Sequence, residues 1–397
     1  MQAAEWVGHL AGVKVLDLFV FAKGTPNSYI PFVTQGAAFI RRSGAAEKGN
    51  SMKKDRLKPW LPALACVFLA FGSGAALGQE KKIVLRVADA FPLGHYIAEH
   101  AAKFWMETVK RSSNGAVDFE YYPAEQLGKA KDLLALTVSG VADVGYVAPS
   151  NVSDKMPLSA VAELPGGFPT SCAGTLAYWK IAKDGILAQK ELEPNGVRLL
   201  FTLALAPYQI FARQKFDSLK SIEGLKIRTT GGAMDTTVRK LKAVSVKMPG
   251  PEINEALSRG TIDAGVFPYA SVLSWKWDAH AKFTTVGENF GSFIASYVIS
   301  ETRWKKLPEN VQKIMLEAGE AATRNACAQV DKSIDTDIEK LQQRGVTPVK
   351  FSSADKKEIE SLLATVSTEW AEALDKRGKP GSEALKAFRA ALAQGGR

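Results

Sequence analysis

The chain has 397 residues, 46% of them hydrophobic and 23% charged, a balance that excludes low-complexity, collagen-like and disordered proteins. Its net charge of +10 invites a nucleic-acid reading, yet residues 1–78 carry nine basic side chains against four acidic ones and so hold half of the excess. No basic block interleaved with aromatics remains beyond them, which argues against a nucleic-acid partner.

In chain order, Met52 opens a second beginning. Lys53, Lys54, Arg56 and Lys58 form a positive n-region, Leu61 to Ala76 an apolar stretch, and Ala76-Leu77-Gly78 places small residues at −3 and −1, with Gln79 as the mature N-terminus. The apolar stretch, about 16 residues with Pro62 inside it, falls short of the ~20 needed to span a bilayer. Cys66 sits too early in it for a lipid anchor. Residues 52–78 are therefore expected to be a cleaved signal peptide. Residues 1–51 are expected to be a mis-assigned upstream start that does not fold: Glu47-Lys48-Gly49 back-translates to a purine-rich run of ribosome-binding type just before Met52. After cleavage Cys172 and Cys327 remain. Export permits a disulfide between them, their wide spacing fits no disulfide framework, and two buried free thiols are an equal alternative.

The mature chain suits two domains by length. Ile83–Ala88 reads as a strand, Ala98–Arg111 as an amphipathic helix, Val117–Tyr121 as a strand, Lys129–Ser139 as a helix and Val141–Val147 as a strand. This βαβαβ order predicts a parallel sheet with helices on both faces. A second unit follows: strands at Tyr208–Arg213 and Leu225–Thr230, a Gly231-Gly232 turn, a helix at Met234–Leu241, a strand at Val244–Met248, a helix at Pro251–Ser258 and a strand at Ile262–Phe267. A long helix runs from Pro308 to about Arg344, with more helix from Ser353 to Gln394. Two α/β units without a Gly- or Ser-rich linker imply a cleft between them that takes a small ligand.

Catalytic patterns are missing. His95 and His100 are five residues apart, which sets them ~140° around a helix, too far for one metal. No nucleophile elbow, phosphate loop or dinucleotide fingerprint is present, and Cys172 has no nearby base. No cofactor, no metal and no enzymatic activity are expected. Thr230-Gly231-Gly232-Ala233 reads as a tight turn rather than an anion cradle. Arg228 ends a predicted strand beside that turn, where its planar fork suits either a ligand carboxylate or a sheet-edge ion pair.

At Gly224-Leu225-Lys226-Ile227-Arg228 the sequence resembles the periplasmic solute-binding subunits of TRAP transporters, the DctP family. Tyr122-Pro123-Ala124-Glu125-Gln126-Leu127-Gly128, Val141-Ala142-Asp143-Val144 after Gly140, Met248-Pro249 through Glu252-Ile253, Ala256-Leu257-Ser258-Arg259-Gly260-Thr261-Ile262-Asp263-Ala264 and Leu307-Pro308-Glu309 match that family in the right order, from about 82 to 390. The resemblance implies a periplasmic-binding-protein-like α/β fold, two α/β domains with a ligand cleft between them and a long connecting helix. We expect domain I at 79–206 plus about 295–325, and domain II at about 207–294 plus 326–397. It also implies delivery of a small organic carboxylate to TRAP membrane permease subunits, with Arg228 pairing the carboxylate; with the cleaved signal peptide we expect a monomer in the periplasm of a Gram-negative bacterium. Departures bear on the ligand. Phe267-Pro268 stands where many members have Asn-Pro, and Tyr208-Gln209 where some sialic-acid binders have a second arginine. Fewer polar groups and more rings point to an apolar or aromatic monocarboxylate, packed against Phe267, Tyr208 and Tyr146, with His95, Tyr96 and Gln209 within reach. Trp275 and Trp277 are assigned to helix packing. A ligand sensor for a membrane receptor is the alternative, and a periplasmic enzyme on the same fold a more remote one.

Overall fold

The computed structural model describes residues 7–10, 13–16 and 82–395. The expected signal segment, 52–78, lies outside them. Of 1–51 only β1 (Val7–Leu10) and β2 (Val13–Leu16) are described, paired antiparallel where no folded element was expected. A lone two-stranded ribbon is at best marginally stable in water.

From residue 82 the expected alternation is realised. β3 (Ile83–Ala88) pairs in parallel with β4 (Val117–Tyr122) on one side and β5 (Val144–Val147) on the other. The first connecting helix opens with a wide π-helical turn at Ala98–Lys103 and continues as Phe104–Ser112, burying Trp105 and Val109. The second is shorter than its periodicity predicts, Leu133–Val138. Two strands absent from the sequence reading, β6 (Val197–Ala204) and β12 (Ile294–Ser300), complete this sheet in the order β4-β3-β5-β12-β6. β12 runs antiparallel to both β5 and β6, so the sheet is mixed rather than parallel.

The second sheet comprises β7 (Gln209–Ala212), β8 (Lys226–Thr229), β9 (Val244–Lys247), β10 (Ala264–Phe267), β11 (Phe283–Thr285) and β13 (Thr347–Val349). Its order is β13-β11-β7-β10-β8-β9. β8 is parallel to β9 and β10, whereas β7 is antiparallel to β10 and β11.

Two antiparallel connections, 205–208 and 290–293, join the sheets and hold each other by Leu205 N–H to Phe293 O (2.9 Å) and Tyr208 N–H to Gly291 O (2.9 Å). The long helix, Glu309–Gln343, packs on β6 and on the helices Phe104–Ser112 and Tyr269–Trp275, so it touches the helical layers of both sheets. The chain closes with helices Ser353–Leu363, Val366–Asp375 and Gly381–Gly395. The last of these lies against Ser171–Lys183 on the side of the first sheet, although the expected division put 326–397 in the second domain. Cys172 and Cys327 are joined as a disulfide, which resolves that open alternative. Beside it, Asp331 accepts hydrogen bonds from Ser171 N (2.7 Å) and Cys172 N (3.0 Å), capping the Ser171–Lys183 helix from the long helix.

Candidate functional site

The carboxyl ends of β3, β5, β8 and β10, together with the start of β7, bring most of the predicted site residues toward one another, as open α/β sheets do at their ligand crevices. Arg228 lies on β8 opposite Gly265 of β10. The whole residue is 2% exposed. Nε donates to the Met248 carbonyl at 2.9 Å, and Nη1 has no hydrogen-bond partner among the described residues. Nor does any Asp or Glu among them form an ion pair with it; the sheet-edge ion pair therefore falls away. Burial pulls its pKa down to about 10, which still leaves it charged at neutral pH.

Rings surround that charge. Phe267 lies 5.1 Å and Trp277 5.9 Å from the guanidinium carbon. These two rings stack almost parallel at 4.1 Å, and Tyr208 meets Phe267 edge-on at 5.8 Å. Gly265 makes this possible: a Cβ there would stand 3.0 Å from the Trp277 ring. Trp277, assigned to helix packing in the sequence, thus also lies over Phe267 and beside Arg228. The Tyr269–Trp275 helix ends at Lys276 in a left-handed turn (φ 58°), which swings Trp277 back over Phe267. Nothing in the local pattern signals that reversal except the aromatic spacing itself.

The opposite wall comes from the loop after β3. Asp89 fixes it: its carboxylate accepts from Phe91 N (3.0 Å), Tyr121 Oη (2.8 Å) and Tyr297 Oη (2.8 Å), while burial lifts its pKa to about 6. Phe91 then stands edge-on to Tyr146 at 5.0 Å and stacks on His95 at 4.6 Å. His95 also lies 4.8 Å from the Tyr96 ring and 5.5 Å from Trp275. Trp275 thus reaches across from the second sheet's side. Tyr96 Oη shares a 3.0 Å hydrogen bond with Ser271 Oγ of the Tyr269–Trp275 helix, a polar contact between the two walls.

Gln209 is placed differently from the rest. Its Nε2 donates to the Glu288 carbonyl, and its Oε1 accepts from Thr285 Oγ1 at 2.8 Å, so both ends of the amide serve the second sheet. The Gly231-Gly232 turn is a turn, with both glycines at positive φ (100° and 62°). An open depression of about 430 Å³ includes Tyr96, His100, Ser274 and Lys340 but neither Arg228 nor Phe267. Among the described residues no group of three His, Cys, Asp or Glu side chains is disposed to hold a metal. Chemically, the arrangement offers one buried fixed cation in an aromatic cage, which suits an anion with a ring or apolar body.

The family model for bacterial extracellular solute-binding protein, family 7 (DctP), matches residues 90–373. The C4-dicarboxylate-binding periplasmic protein DctP of Rhodobacter capsulatus is 26% identical over 302 residues, 74% of this chain and 86% of that protein. A TRAP solute-binding protein of Rhodoferax ferrireducens, solved with copurified benzoate, superposes with a TM-score of 0.73 at 23% identity, covering 79% of this chain and 98% of that one. A marine-metagenome TRAP solute-binding protein described as specific for aromatic acid ligands, solved with 3-hydroxybenzoate, gives a TM-score of 0.74 at 22% identity, covering 79% and 98%.

Proposed function

Because the chain belongs to the DctP family of bacterial extracellular solute-binding proteins, the periplasmic solute-binding proteins of TRAP transporters, we propose that it binds an aromatic or otherwise apolar monocarboxylate and delivers it to membrane permease subunits for ion-gradient-driven uptake. One observation carries the ligand class: Arg228 is buried, charged and without a counter-ion among the described residues, amid aromatic rings. A buried charge lacking a partner is costly, and a carboxylate supplies the missing one with bidentate geometry. Phe267, Tyr208 and Tyr146 serve as walls, Trp277 and Phe91 complete them, and Gln209 has a structural role. The aromatic acids named with the two solved relatives support this reading. In it, two lobes built on the two sheets close by bending at 205–208 and 290–293, and export uses residues 52–78 as a cleaved signal.

The test is a thermal-shift and calorimetry screen of aromatic, branched, dicarboxylic and sugar acids against the wild type and Arg228→Ala. A ligand at 100 times its Kd stabilises by about 2.7 kcal/mol, a shift of a few degrees. Arg228→Ala is expected to weaken the best monocarboxylate by at least ~100-fold, since removing one partner of a buried charge pair costs about 3–5 kcal/mol. Undiminished affinity would remove Arg228 from the site. Hits confined to dicarboxylates or sugar acids would discard the aromatic monocarboxylate.

A further inference from the structure

We infer that His95 Nε2–H is a second ligand anchor, so that the solute carries, besides the carboxylate on Arg228, an uncharged acceptor oxygen on its body: a hydroxy or oxo monocarboxylate. This deepens the monocarboxylate reading and rests on it. His95 is 2% exposed and its ring is crowded by Phe91, Tyr96 and Trp275, at 4.6, 4.8 and 5.5 Å between centroids. Three rings on one imidazole leave it little freedom to turn. Nδ1 accepts from Ile97 N at 3.3 Å, which makes it the bare nitrogen and puts the proton on Nε2. Nε2 is buried with no partner among the described residues. Burial holds the imidazole pKa near 3, so the ring is neutral throughout the physiological range.

An orphaned buried donor is uncommon and calls for an acceptor. Its place says which. The loop bearing His95 forms one wall of the cage, and Trp275, which packs on it, comes from the other. Trp275 lies alongside Gly250, two residues beyond the Met248 carbonyl that holds Arg228 Nε. Among the described residues Arg228 Nη1 and Trp277 Nε1 are thus unpartnered donors on one wall and His95 Nε2 is the unpartnered donor on the other, the charged one for a carboxylate and the His95 one for a neutral oxygen on the solute's body. A second carboxylate at His95 would be buried against a single uncharged donor, so dicarboxylates are disfavoured there. An acid lacking the oxygen leaves Nε2–H unpaired, and sites built to hydrogen-bond a substrate group discriminate strongly against analogues without it.

Calorimetry on the purified protein with phenylacetate, mandelate, phenylpyruvate, 3-hydroxyphenylacetate and phenylsuccinate tests this, in wild type, His95→Phe and Arg228→Ala. His95→Phe keeps an aromatic ring while removing the Nε2 donor together with the Nδ1 acceptor of Ile97 N–H. At least one oxygen-bearing monocarboxylate is expected to bind the wild type about tenfold or more tighter than phenylacetate, and His95→Phe to erase that margin while holding phenylacetate within about threefold. Equal wild-type affinities with and without the oxygen, or a His95→Phe loss shared by every acid, would overturn the inference and leave the Arg228 reading standing. Acids that bind Arg228→Ala undiminished, or a panel that does not bind at all, would overturn both.

Discussion

Glu163 ends the short Leu158–Glu163 turn fully buried, its carboxyl 3.5 Å from Ile294 N, and burial lifts its pKa to about 8. The native state therefore keeps a proton that the unfolded chain releases near pH 4.5, and linkage makes stability fall as pH rises through the window from about 4.5 to about 8. Thermal unfolding between pH 7 and 9, above the pH near 6 at which Asp89 titrates, should show Tm declining, and Glu163→Gln should flatten that slope; an unchanged slope in the variant would assign the decline elsewhere. Single residues were unevenly legible in the sequence. Arg228 stood out because its type and its place at a strand end both speak to anions. Gln209 misled because residue type cannot tell which neighbours an amide will meet, and its neighbours are Thr285 and Glu288. Trp277's place over Phe267 was not legible because it depends on the left-handed Lys276, a conformation that no lysine advertises.

β6 and β12 escaped the sequence reading for a different reason. Both are buried almost end to end, so neither alternates, and a short continuous apolar run does not distinguish strand from helix. β3 and β4 keep enough exposed or half-buried positions to be read. The Tyr122–Gly128 segment was recognisable as a pattern, and the structure supplies its cause. Ala124 and Glu125 both adopt left-handed φ (52° and 61°), and their N–H groups donate to Phe91 O (3.0 Å) and Asp89 O (2.9 Å). Backbone strain is thus used to fix the loop that carries Phe91 and His95. Packing between elements is equally demanding where the long helix crosses β6. A Cβ on Gly319 would fall on the Leu200 carbonyl. Gly319→Ala should therefore destabilise by about 1–3 kcal/mol despite the better helix propensity of alanine, because the helix must lift off the strand. Urea titration would show it as a lower midpoint at unchanged m; a stabilised variant would contradict the close approach.

Across the whole molecule, the alternation of elements and the long helix were legible, while the chain's return through the first sheet at β12 was not, since long-range pairing leaves no local trace. The cysteine pairing was likewise invisible, for it depends on the Ser171–Lys183 helix meeting the long helix, where Asp331 caps it. Cys172→Ala with Cys327→Ala should cost about 2–4 kcal/mol by loosening the unfolded chain's constraint. Denaturant unfolding with and without reductant reads this directly, and a reductant effect that persists in the double variant would place the cause elsewhere. Tyr208 acts in two places. Its ring packs against Phe267, while its backbone is one of the rungs tying 205–208 to 290–293. In the proposed reading palate and jaw share one segment, so a ring exchanged at Tyr208 for a bulkier solute changes the packing on the very stretch that would bend. New diets would be written first into Phe91, Trp275 and Phe267, whose backbones are free of that second duty.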